Sequence, residues 1–221
     1  MKKKILSIGL ILMMVASLFA LTGCGKKAED NKEKADEQKA AEEKFSIDNN
    51  NCYYVKINGT KFKAGDKISS VSSVGLKQKE KNLATSIPKN RYLLAESVVD
   101  SNEKEICKFV PLNDTDDKIT VADAVIGGFE VGTYNYNKIA KETLEYDIEI
   151  FGGIKLGSSY EDMVKVFGEP DFKHESQANE SLKMEAYTTY KYSKGYKGLE
   201  FIVDDSGKIS QIEWNNYDYN E

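Results

Sequence analysis

The chain has 221 residues, with 31 Lys and Arg against 36 Asp and Glu, a formal charge of -5 and 40% hydrophobic residues. Without residues 1–23 it loses Lys2, Lys3 and Lys4, which takes -5 to -8. Such an acidic body is a poor match for nucleic acid, whose phosphates are held by clustered Lys and Arg. His174 is the only histidine, so the inventory excludes a histidine dyad and a histidine-rich metal site.

Met1-Lys2-Lys3-Lys4 is a short basic start, and Ile5 to Ala20 is an apolar run without a charge. The run is somewhat short for the ~20 residues of a membrane span. A basic start, an apolar core and a small-residue site describe an export signal. Leu21-Thr22-Gly23-Cys24 resembles the lipobox of bacterial lipoprotein signal peptides. That resemblance implies cleavage before Cys24 and a lipid on Cys24 that holds the protein to a membrane on its extracytoplasmic face. Each buried methylene of such an anchor contributes about 0.8 kcal/mol, and two chains hold stably.

Residues 24–44 are expected to form a lipid-anchored flexible linker. From Gly25 to Lys44 there is no aromatic and no β-branched residue, so this stretch buries too little to fold alone. The folded region is expected to begin near Phe45. Tyr53 to Ile57 reads as a strand, Asn58-Gly59 as a type I′ hairpin turn and Thr60 to Lys63 as the returning strand. Asp66 is placed to cap a short helix carrying Ile68, Val71 and Val74, with Gly75 to end it. Leu76 to Asn90 is ambiguous. Three strands follow at Tyr92–Val99, Glu105–Leu112 and Lys118–Phe129, separated by turn residues.

In the second half, alternation of Leu144, Tyr146, Ile148 and Ile150 predicts a strand over Thr143–Phe151. Ser158 and Glu161, or Ser159 and Asp162, have the spacing of a capping box. Tyr160, Met163, Val164 and Phe167 supply the apolar stripe of the helix that follows. Gly168 and Pro170 stop it. Phe172 to Ser181 reads as loop, and Lys183–Tyr192, Gly198–Val203 and Lys208–Trp214 as strands.

Phe62-Lys63-Ala64-Gly65, then a helix and Gly75, is echoed by Ile154-Lys155-Leu156-Gly157, then a helix and Gly168. The fold expected is therefore α+β, with two related modules at 45–135 and 136–221. Each would be a short helix packed on an antiparallel sheet, after a signal peptide and the linker. Residues 154–214 resemble the β-lactamase inhibitory protein fold, shared by small outer-membrane assembly lipoproteins. The residues that carry the resemblance are Ile154 to Ser159, Val164 and Phe167-Gly168-Glu169-Pro170-Asp171, with the three strands after them. The second helix usual in those families has no evident counterpart. The resemblance implies a non-enzymatic protein-binding or envelope-scaffolding role, or inhibition of an extracytoplasmic enzyme. A solute-binding protein or an envelope enzyme is the less favoured reading.

Cys52 and Cys107 either pair, as oxidising surroundings allow, or stay as buried thiols. Asp114, Asp116 and Asp117 lack the spacing of a calcium loop and read as a turn. Gly127-Gly128 and Gly152-Gly153 lack the spacing of phosphate loops and read as strand bends or bulges. No serine-hydrolase signature is present, so no catalytic residue, cofactor or metal ligand is expected. The partners expected are the membrane, through Cys24, and an envelope protein. Tyr190 and Tyr192 on one strand face, with Trp214 on the last strand, are either a partner-binding surface or core under the helix.

Overall fold

A computed structural model describes residues 44–182 and 184–217. The signal segment, Cys24 and all of the linker but Lys44 lie outside the described residues. The body they outline is sheet-dominated α+β.

A 3-10 turn at Asn50–Cys52 opens the fold, with the Asn49 side chain accepting from the Asn51 N–H at 3.0 Å. Strands β1 (Tyr54–Ile57) and β2 (Thr60–Lys63) form the expected hairpin. Asn58 and Gly59 turn it with φ of 49° and 80°, the two left-handed positions of a type I′ turn. The predicted helix after Asp66 is a 3-10 helix, Ile68–Val74. The reason lies in its residues. Four are serine and three are β-branched, all weak helix formers. Ser70 and Ser73 donate their hydroxyls to the carbonyls of Lys67 and Ser70 at 2.6 and 2.8 Å. Ile68, Val71 and Val74 are spaced by three, which lines them up on a 3-10 helix. Asp66 caps nothing here. Its carboxylate accepts the Lys63 N–H at 2.7 Å instead.

The ambiguous stretch holds β3 (Lys77–Gln78) and β4 (Ser86–Ile87). Then come β5 (Glu96–Val99), β6 (Glu105–Leu112), β7 (Ile119–Thr120) and β8 (Val125–Gly132). The strand predicted from Lys118 is broken by a 3-10 turn at Val121–Asp123. In the second half, the strand predicted over Thr143–Phe151 is a one-turn helix, α1 (Lys141–Leu144), and a short β9 (Ile148–Ile150). Alternation misled there: Leu144 is exposed, and Lys141 reaches Glu145 one turn later at 3.4 Å, a helical spacing. Helix α2 (Tyr160–Phe167) starts as expected on a capping box, made by Ser159 and Asp162. After it, β10 (Phe172–Ser176) replaces the predicted loop, and β11 (Tyr187–Lys194), β12 (Lys197–Asp204) and β13 (Ile209–Asn215) complete the chain.

Eight strands form one sheet in the order β10-β11-β12-β13-β8-β6-β5-β3. Its centre is the antiparallel pairing of β8 with β13, where Val131 faces Ile212 and Phe129 faces Trp214. The hairpin β1–β2 pairs in turn with β9. Residues before and after 135 therefore share both sheets. Inner-face residues of the large sheet, among them Phe109, Phe129, Phe201, Ile212 and Trp214, are almost fully buried. They join one core with Tyr53, Ile57, Met163 and Phe167. Burying each such side chain contributes about 1.5–3 kcal/mol.

The two halves make the same local bonds. Gly65 N–H donates to the Ile126 carbonyl and Ile126 N–H to the Asp66 carbonyl, both at 2.8 Å. Gly157 N–H donates to the Ile209 carbonyl and Ile209 N–H to the Ser158 carbonyl, both also at 2.8 Å. Gly65 and Gly157 have φ of 90° and 87°. Beyond Ile126 and Ile209 lies one unpaired residue in each strand, Gly127 opposite Val110/Pro111 and Ser210 opposite Ile202/Val203. The Gly127-Gly128 pair thus marks a bulge.

Candidate functional site: the outer face of the large sheet

Strand alternation sends every second side chain away from the core. On that outer face one transverse row crosses seven strands: Ser97, Lys108, Glu130, Glu213, Glu200, Lys191 and Phe172, each opposite the next. The row is ordered by charge. Lys108 pairs with Glu130 at 2.7 Å, and Lys191 with Glu200 at 2.6 Å. Glu213 lies between the two paired glutamates, holds the Gln211 side-chain amide, and makes no ion pair among the described residues. Burial, and then the charges of Glu130 and Glu200, push its carboxyl above the ordinary range. Burial works against the Lys108 ammonium, but Glu130 outweighs it and holds that group above its usual value.

The adjoining row is nearly bare of side chains, running through Gly128, Asn215 and Gly198. A Cβ on Gly128 would lie 2.6 Å from the Asn215 Oδ1 and 2.9 Å from a Val110 methyl. Beside it a cavity of about 150 Å³ opens at the end of the β11–β12 hairpin, lined by Lys191, Ser193, Tyr196, Glu200 and Glu213. Tyr196 is 59% exposed at its rim. The face offers fixed charges of both signs, a half-buried carboxylate and a shallow recess. That is the equipment of recognition by charge and shape.

The aromatic surface read from the sequence is not on this face. Tyr190, Tyr192 and Trp214 are 8%, 4% and 1% exposed. Tyr190 lies against Tyr160 at 4.6 Å, Tyr192 against Phe167 at 5.7 Å and Trp214 against Tyr53 at 6.0 Å. They are core, because the inner face of β11 and β13 is the one that meets α2 and the β1 region. The Tyr192 hydroxyl finds the Gly168 carbonyl at 2.8 Å, whereas the buried Trp214 indole N–H finds no acceptor among the described residues. Cys52 and Cys107 are both buried. Burial pushes the Cys107 thiol far up.

Asp116 pairs with Lys89, and the buried Asn113 side chain donates to the carbonyls of Ile87, Pro88 and Asp117, so this acidic stretch is an ordered turn. His174 lies exposed on β10. Gly152 and Gly153 stand in a 3-10 turn with φ of 72° and 76°. Among the described residues, no three His, Cys, Asp or Glu are grouped to hold a metal. The charged row was missed by sequence reasoning. Its members alternate with core residues in each strand, but only the strand order sets Glu130, Glu213 and Glu200 side by side. No protein-family model, curated protein or solved structure matches this chain.

Proposed function

We propose that the protein is an extracytoplasmic lipoprotein, anchored through lipid on Cys24, that binds an envelope protein on the outer face of its large sheet. It is non-enzymatic in this reading. The observation that carries it is the seven-strand row itself: a broad, ordered face whose central carboxylate makes no ion pair among the described residues. A bound partner that supplies one would relieve the repulsion around Glu213. The lipobox-like Leu21-Thr22-Gly23-Cys24 supports the anchor.

In the same reading the body consists of two related modules that share one sheet, as in the β-lactamase inhibitory protein fold. The matched bonds at Gly65 and Gly157, and the matched bulges at Gly127 and Ser210, support it. The 3-10 helix Ile68–Val74 stands where α2 stands in the second module.

Three substitutions test the proposal in living cells. Cys24→Ala should end incorporation of labelled palmitate and release the protein from membranes. A photocrosslinking residue at Tyr196, on the rim of the recess beside Glu213, should capture one discrete envelope protein, and the same residue at the exposed Lys165 of α2 should not. Equal capture at both positions, or none at 196, would reject the sheet face as the binding surface.

A further inference from the structure

The large sheet has two ends, and they are treated differently. At one, β3 is two residues long, its Gln78 is buried, and the chain turns away at once into a 3-10 turn. That is how natural sheets blunt an edge. At the other, β10 runs for five residues, four of them exposed, with β11 as its one neighbour in the sheet order among the described residues. Alternate residues of such a strand direct their N–H and C=O groups away from the sheet. Phe172, one of the exposed large apolar side chains, is 50% exposed on it.

We propose that β10 pairs antiparallel with β10 of a second copy of this chain, centred on His174. The sequence Phe172-Lys173-His174-Glu175-Ser176 is complementary to itself in that register. Lys173 already reaches Glu175 within one copy at 2.7 Å; in this register it also falls opposite Glu175 of the second copy, and Glu175 opposite its Lys173, so the two-fold axis adds two opposite-charge pairs and closes a ring of four alternating charges. Phe172 falls opposite Ser176 of the second copy and diagonal to its His174. Within one copy Phe172 already stacks on His174 at 6.4 Å, so pairing joins two stacked rings to two more and covers the exposed phenyl. A shift by one residue sets Lys173 opposite His174 or Ser176 and loses both charge pairs. Five residues per strand make a contact smaller than the roughly 1,200 Å² of a stable interface, so the pair forms where copies are concentrated. This inference does not rest on the binding face proposed above.

The test is a concentration series of the purified full chain, oxidised with copper phenanthroline and read on a non-reducing gel. His174→Cys should give a dimer band that grows with concentration, because position 174 meets itself on the axis. A mixture of Lys173→Cys and Glu175→Cys chains should crosslink more than either alone. Adding Lys173→Glu to His174→Cys should cut the dimer yield about tenfold, and adding Glu175→Lys as well should restore it. Far-ultraviolet circular dichroism confirms that each variant is folded. No dimer from folded His174→Cys at the highest concentration, or an equal yield from Tyr196→Cys at the hairpin tip, overturns the proposal.

Discussion

Glu213 works against the fold that holds it. Its carboxyl titrates above the ordinary range because burial and then Glu130 and Glu200 oppose its charge. A carboxyl raised in the folded state leaves stability intact below its unfolded value of about 4.3 and erodes it as pH climbs through the folded value. Glu213→Gln should therefore stabilise the protein at pH 7, by about 0.2–1 kcal/mol for each like-charge neighbour relieved. Below pH 4 the two proteins should unfold at the same urea concentration. If the outer face is the binding surface, the same variant should also crosslink less to its partner, so stability and capture should move in opposite directions. Trp214 is the contrary case. It was read as a candidate contact and is core, so Trp214→Ala should lower stability by about 3–5 kcal/mol in urea titration, with capture lost only in proportion to unfolding.

At the scale of elements, what was legible depended on whether the signal was local. The hairpin at Asn58-Gly59 and the capped start of α2 follow from a few neighbouring residues, and both stand where the sequence placed them. The serine-rich helix is 3-10 because its hydroxyls take backbone carbonyls and its apolar residues recur every three, a spacing that an α-helix shares and that therefore does not separate the two. Strand β10 was invisible because no alternation marks a strand exposed on both faces. Nor does any local pattern announce that β8 meets β13, the pairing that makes the outer row. Close backbone approach was hidden for the same reason. Gly132 ends β8 at φ 93°, where an added Cβ would lie 2.1 Å from the Ser210 carbonyl oxygen. Gly132→Ala should cost about 2–3 kcal/mol of stability, from strain and from parting the strands at the bulge. At Gly207, in the open β12–β13 turn with nothing within 4 Å, the same change should cost about 1–2 kcal/mol.

For the molecule as a whole, the β8–β13 and β1–β9 pairings tie both halves into one core. Unfolding should therefore follow a single transition, with circular dichroism and calorimetry coincident. A fragment of residues 45–135 would leave β8 without β13 and β1 without β9, so it should show no cooperative transition of its own. Two transitions in the full chain, or a fragment that melts sharply, would contradict a shared core.

Trp214 is the one tryptophan in the sequence, and it lies at that joint. Its ring stacks near Phe129 of β8 at 6.1 Å and meets Tyr53 beside β1 at 6.0 Å. A buried indole, 1% exposed as here, emits at short wavelength, and it shifts to the red when water arrives. The native fluorescence of the protein is thus a built-in gauge of the joint between its halves, readable in the unmodified chain at nanomolar concentration or in a stopped-flow cell.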